Sequence, residues 1–304
     1  PNLRIILTDC FAFTIDNEPV KLSGMMIAAD SIPDVMHLSL KGKRAVYKSE
    51  MMMYEMLAQC NWERPLYVAI TVGKDNYGNL GDYFVREGLA DRITPFNTKK
   101  SGRTVDTEKM YDNLMNRFRY GGLDNPNFYI DETISRMSYT HRRIFSQLAT
   151  QLLREGKKEK AQNLLKRAEE VLPPSTLPHT FAGGSLDLAR AWIQVDNKKQ
   201  AEAIALPVAK NACEYIDWYL SLSDSKLERE EQECMYYLYQ LHRASEVLRE
   251  ATSSQAAGMV QKLDFYNKVL QGRLYGTQNI YQQMGTDVSN MMVANPEASE
   301  EEGE

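Results

Sequence analysis

Histidine, cysteine and carboxylate are the residue types most often asked to move protons, hold metals or attack electrophiles, so their spacing comes first. The four histidines, His37, His141, His179 and His242, lie far apart, and none has an HxH or HxxxH partner. They are expected to be packed or solvated rather than ligating. Cys10, Cys60, Cys213 and Cys234 are equally scattered, without a CxxC pair. They read as buried thiols that behave as small apolar groups, not as a zinc site. Asp75, Asn76, Asn79 and Asp82 resemble a calcium loop at first sight. The spacing is wrong, however, and no bidentate glutamate closes the loop, so a polar turn is expected. The pairs Glu50/Glu55 and Asp9/Asp16 could in principle support acid–base hydrolysis, but a chain with 41 acidic residues produces such pairs by chance. No GxSxG, P-loop or GxGxxG pattern occurs. The sequence therefore assigns no catalytic residue, no metal ligand and no cofactor.

The most suggestive set is Lys48, Glu50, Trp62, Arg64 and Tyr67. Indole and phenol rings beside a guanidinium can stack on a sugar or hold a peptide carboxylate, and these five are the candidate binding residues. The plainer reading has Trp62 plugging a helix–strand junction and Arg64 paired with Glu50 or Glu63. The methionines Met51, Met52, Met53 and Met56 are expected to fill core. Tyr236, Tyr237 and Tyr239 are expected at a helix–helix contact.

These residues need elements to place them. Val35 to Leu40 alternates apolar and polar as a strand does, and Arg4 to Ile15 is rich in strand formers. Residues 47–60 carry a helical apolar stripe, ended by Asn61 to Pro65. Leu66 to Val72 is nearly continuous apolar sequence, which predicts a strand covered on both faces. Gly73 to Gly81 reads as a loop, Tyr83 to Phe96 as further strand, and Thr98 to Thr104 as an exposed connector. Asp106 is a candidate N-cap for a helix reaching about Arg119, stopped by Tyr120-Gly121-Gly122.

From Tyr139 the texture is helix after helix. Phe145, Leu148, Ala149, Leu152, Gly156, Ala161, Leu165, Ala168 and Pro173 have the spacing of a tetratricopeptide unit. A looser copy holds Leu188, Ala189, Trp192 and Ala201, with Asp196 at the turn and Pro207 expected to kink or shorten its second helix. Residues 228–251 and 255–273 read as two more helices without the signature. The expected fold class is α+β: a mixed α/β region over 1–125, a helical-repeat region over 126–278 and a disordered acidic tail over 279–304. A net charge of −5 disfavours nucleic acid as a partner. The chain starts at Pro1 rather than Met, which suggests a processed protein or a piece of a longer one.

The segment Tyr47 to Gly73, YKSEMMMYEMLAQCNWERPLYVAITVG, resembles a stretch near the end of a family of large multi-pass proteins common in Bacteroidetes. That family is a domain of unknown function related to an animal endomembrane protein O-mannosyltransferase. DYFVREGLADRITP (Asp82 to Pro95), VDTEKMYDNLMNRFRYGG (Val105 to Gly122) and the helices from about Tyr139 follow in matching order. The resemblance implies a C-terminal region on the periplasmic face of the inner membrane, tethered through preceding spans and not catalytic itself. Its expected partners are a protein or glycan acceptor, or a partner protein that it positions beside a membrane-embedded glycosyltransferase. The family's acidic catalytic loop has no counterpart here. Two further readings remain open on the residues alone: a stand-alone peptide-binding adaptor, and a soluble hydrolase using a carboxylate pair.

Overall fold

A computed structural model describes residues 8–26 and 32–275. The chain divides into two compact units, Pro1–Arg119 and Tyr120–Glu304. The first is mixed α/β with two small sheets and the second is all helical, which makes the whole α+β. The tail expected over 279–304 lies outside the described residues.

In the first unit, β1 (Cys10–Thr14) pairs antiparallel with β2 (Val35–Ser39), with Cys10 opposite Ser39 and Thr14 opposite Val35. The alternation in β2 is physical: Met36 and Leu38 enter the core while Val35, His37 and Ser39 point out. Between these strands lies α1 (Asn17–Leu22), a helix not foreseen from the sequence, which begins just after the strand-forming stretch that ends at Ile15. Asp16 caps it, accepting from the Glu18 N–H at 3.1 Å.

The helix α2 (Lys48–Gln59) buries Glu50, Tyr54 and Leu57, one narrow face at i, i+4 and i+7. Met51, Met52 and Met56 are exposed, which corrects the expectation that they fill core, whereas Met53 is partly buried and packs against it. The apolar stripe is wider than the face the unit can cover. Beyond the helix, Asn61 and Trp62 both take positive φ (45° and 59°), folding the indole back into the core. Left-handed backbone is costly for a bulky residue, and burying the indole offsets that cost.

The strands β3 (Tyr67–Ala69), β4 (Phe84–Arg86) and β5 (Ala90–Ile93) form an antiparallel sheet in the order β3-β5-β4. The strand expected over Leu66 to Val72 is thus only three residues long, lies at a sheet edge, and exposes Tyr67 and Ala69. With hydrogen bonding to β5 on one side only, the chain turns after Ala69, where the Val72 N–H closes on the Ala69 carbonyl at 2.9 Å. The short helix α3 (Thr98–Ser101) follows. Asp106 then caps α4 (Thr107–Asp112) by accepting from the Lys109 N–H at 3.0 Å, and a π-turn over Asn113–Arg117 extends it.

The second unit holds α5 (Glu132–Arg154), α6 (Lys158–Val171), α7 (Ser185–Gln194), α8 (Lys198–Leu220), α9 (Asp224–Arg229), α10 (Glu231–Glu250) and α11 (Ala256–Tyr275). The helix positions of the first sequence unit, Phe145 to Leu152 and Ala161 to Ala168, are the buried ones where helices α5 and α6 meet. One turn geometry recurs three times. At Gly156, Asp196 and Thr252 the backbone takes positive φ. In each case the next residue's N–H reaches back five positions: Lys157 to Leu152, Asn197 to Trp192, and Ser253 to Leu248. These are Schellman-type helix endings, and they join α5 to α6, α7 to α8 and α10 to α11.

Pro207 does not shorten α8, which runs through it for 23 residues. Packing of α8 against α7, α10 and α11 outweighs the missing backbone donor. Arg142 of α5 is fully buried and donates to the Leu177 and Pro178 carbonyls and, at 3.4 Å, to the Ser185 hydroxyl. It thereby pins the connection between α6 and α7.

Candidate ligand cleft and buried charge network

The five candidate binding residues do not converge. Among the described residues no hydrogen bond or ion pair joins any two of them. Lys48 and Arg64 are exposed, and Trp62 is closed inside the core of the first unit, where no ligand can stack on it. Glu50 is buried. Its partner is Lys43 rather than Arg64, and its other oxygen accepts from the Tyr47 N–H at 3.0 Å, capping α2. Burial pushes the Glu50 carboxyl up, but the Lys43 hydrogen bond and the Tyr47 N–H together hold it below its ordinary value. The same hydrogen bond raises Lys43. This residue closes a helix start.

Tyr67 leads to a charge network that sequence spacing did not reveal. Its hydroxyl donates to Glu87 Oε2 at 2.7 Å, and Lys109 of α4 reaches the same oxygen at 2.6 Å. Arg92 of β5, cross-strand from Tyr67, sits with its guanidinium carbon 5.9 Å from the tyrosine ring centre. The Glu87 and Arg92 side chains are only 5% and 2% exposed, yet their closest approach is 3.7 Å. Glu87 Oε1 and Arg92 Nε have no hydrogen-bond partner. Arg92 also donates to the Ser23 carbonyl at 2.9 Å. Burial and the Glu87 hydrogen bond raise the Tyr67 hydroxyl above its ordinary range, so it remains a donor. The network ties the β4–β5 turn, the edge strand and α4 together. Its Glu87 and Arg92 charges are buried and tied to protein partners, which suits a structural tie better than a reacting centre.

A cleft of about 540 Å³ opens between the outer face of β2, the turn before β4 and the start of α3. His37, Ser39, Asn79, Asp82, Asn97 and Lys100 supply its polar lining. The neighbouring backbone is fixed by side chains: Tyr83 donates to the His37 carbonyl at 2.6 Å, Asn79 to the Ser39 carbonyl at 2.5 Å, and Thr98 to the Asp82 carbonyl at 3.0 Å. Cys10 Sγ lies 3.9 Å from His37 Nδ1, but the thiol donates to the Phe11 carbonyl at 3.4 Å. That separation is too long for a thiol poised for deprotonation. An imidazole, a carboxylate, an ammonium and neutral amides around one cleft suit a small polar ligand of mixed character. Among the described residues no group of three or more His, Cys, Asp or Glu could hold a metal ion. The cleft escaped sequence reasoning because its residues span 37 to 100. The available signal was the polar, outward register of β2.

Residues 2–111 match the family described as TMEM260-associated domain 2. TMEM260 is an animal membrane protein related to O-mannosyltransferases. The match lies within the first unit and ends at Tyr111, inside α4. It covers both small sheets, the cleft and the Glu87 network. No curated protein and no solved structure matches the chain. Among the described residues no helix is long and apolar enough to cross a membrane.

Proposed function

We propose that this chain is an accessory region of a multi-pass, glycosyltransferase-related membrane protein. It holds an acceptor, polypeptide or glycan, or a partner protein, beside a catalytic segment elsewhere, and makes no bonds itself. The observation that carries this reading is the match of residues 2–111 to a TMEM260-associated domain. The cleft supports it, since its size and mixed polar lining fit a sugar or a short polar peptide. Helix pairs closed by a recurring turn support a tetratricopeptide-like array with a contact groove. Holding an acceptor close raises its effective concentration without adding chemistry. The working location on this reading is the periplasmic face of the inner membrane, as part of a larger protein.

The test is deletion of this region from the full-length gene, with glycosylation of cell proteins as the readout, alongside a transfer assay on the purified chain. Deletion is expected to abolish or redirect transfer while the purified chain transfers nothing. Sugar transfer by the purified chain, or wild-type glycosylation after deletion, refutes the reading.

A further inference from the structure

A band of aromatic rings crosses the second unit from α10 to α8. Tyr215 and Tyr237 stack face to face, with centroids 4.3 Å apart and planes at 10°. Tyr219 lies 6.0 Å from Tyr237, and Trp218 meets Tyr219 edge-on at 4.8 Å. The band is not all core. Trp218 is 54% exposed and Tyr215 43%, on one face of α8 at i and i+3 spacing. Leaving an indole and a phenol of this size in water lacks a folding rationale, since the same helix buries nine other side chains completely enough to fix its position.

The charge around the band has one dominant sign. The segment 224–233, which enters α10, carries five carboxylates against two cations, and of the five Asp224 is paired with Arg273 of α11 at 2.6 Å. Glu230 and Glu233 are both exposed. Burial is the leading reason that the Tyr219 hydroxyl is raised above its ordinary range, and the fields of Glu233 and Glu230 add to it. Tyr237 is pushed up to about 12, by burial first, then by Tyr215, Tyr219 and Glu233. The geometry places the carboxylates there as well: Glu230 is the N-cap residue of α10, Glu233 lies one turn before Tyr237 on that helix, and Tyr237 stacks on Tyr215. An electron-rich aromatic face flanked by carboxylates attracts a flat, weakly hydrated cation.

We propose that the exposed rings of Tyr215 and Trp218, flanked by Glu230 and Glu233, form a docking surface for an arginine-bearing polypeptide segment. Guanidinium groups stack on the rings, while the carboxylates take their N–H donors. Arginine fits better than lysine because its planar fork can do both at once. The proposal stands on the second unit alone, outside the region matched by family, and does not depend on a role in glycosylation.

The geometry supplies its own probe. Of the three tryptophans, Trp62 and Trp192 are buried and only Trp218 meets solvent. Titrating the full chain with a peptide of alternating arginine and glycine should shift Trp218 emission, and calorimetry should give the same dissociation constant. Tyr215→Ala with Trp218→Ala should weaken binding about tenfold or more by calorimetry. Glu230→Gln with Glu233→Gln, which leaves the rings in place, should weaken it and flatten its salt dependence. A lysine–glycine peptide should bind several-fold more weakly. The proposal is overturned if the arginine peptide binds no better than a glycine–serine peptide. It also fails if neither double variant changes binding, or if Trp218 emission answers to a neutral oligosaccharide and not to the cationic peptide. Loss of transfer on deleting the whole chain, with no peptide binding, would sink this docking surface and leave the accessory role standing.

Discussion

Acid should loosen the second unit through His179. The histidine follows the carbonyls that Arg142 grips, and its Nδ1 is buried without a hydrogen-bond partner. Burial, and then the Arg142 charge, lower it from 6.5 to about 4. Between these values the unfolded chain takes up a proton that the folded chain refuses. Stability is thus complete above about pH 6.5, falls as the pH drops toward 4, and levels off below that. At 1.36 kcal/mol per pH unit the loss is on the order of 3 kcal/mol. His141, lowered by burial, works in the same direction. Hydrogen exchange of α5 and α7, measured from neutral pH down to about pH 4, reads this unit separately from the first. His179→Gln, which cannot titrate, should remove most of the slope; protonation of carboxylates elsewhere is common to both proteins and cancels in the difference. An identical slope in wild type and variant would refute the argument, because it would mean that the imidazolium reaches water or a hydrogen-bond acceptor in the folded chain.

Two further perturbations follow from the packing. Glu50→Gln keeps an acceptor for the Tyr47 N–H but removes the charge paired with Lys43. Because the Lys43 side chain is 21% exposed and can turn to water, the loss should be about 1.5–3 kcal/mol rather than the larger penalty of stranding a fully buried cation. The effect should appear as faster amide exchange in α2, and an unchanged rate would contradict it. Pro207→Ala restores a donor to the Ala203 carbonyl within α8 and should raise the stability of the second unit by about 1–3 kcal/mol in denaturant melts. A loss of stability there would mean that the ring's packing matters more than the hydrogen bond.

Local patterns were legible where one residue acts on its near neighbours. The Asp106 cap, the alternation of Met36 and Leu38 against His37 and Ser39, and the buried small residues at Ala149, Ala161 and Ala168 could all be read from spacing. Each depends on backbone geometry within a few residues, which sequence encodes directly. The reading failed where hydrophobicity alone had to decide burial. Met51, Met52 and Met56 are apolar but lie on the side of α2 that nothing in the first unit covers, and the run from Leu66 to Val72 meets only one neighbouring strand.

The candidate sites follow the same division. Lys48, Glu50, Trp62, Arg64 and Tyr67 are close in sequence, but a helix end and two left-handed residues send them to different environments. Glu87 meets Lys109, and His37 and Lys100 line one cleft, only because the fold returns distant segments to one place. The third helix pair shows this most clearly. Thr252 bears no turn signature, yet its backbone repeats the geometry of Gly156 and Asp196. Sequence alone therefore determined the α+β class, most of the helices and the start of α4, since caps and periodicity are local. Tertiary structure decided which apolar faces are covered, which charges meet and where a ligand could enter, since burial belongs to the assembled surfaces and not to any single segment.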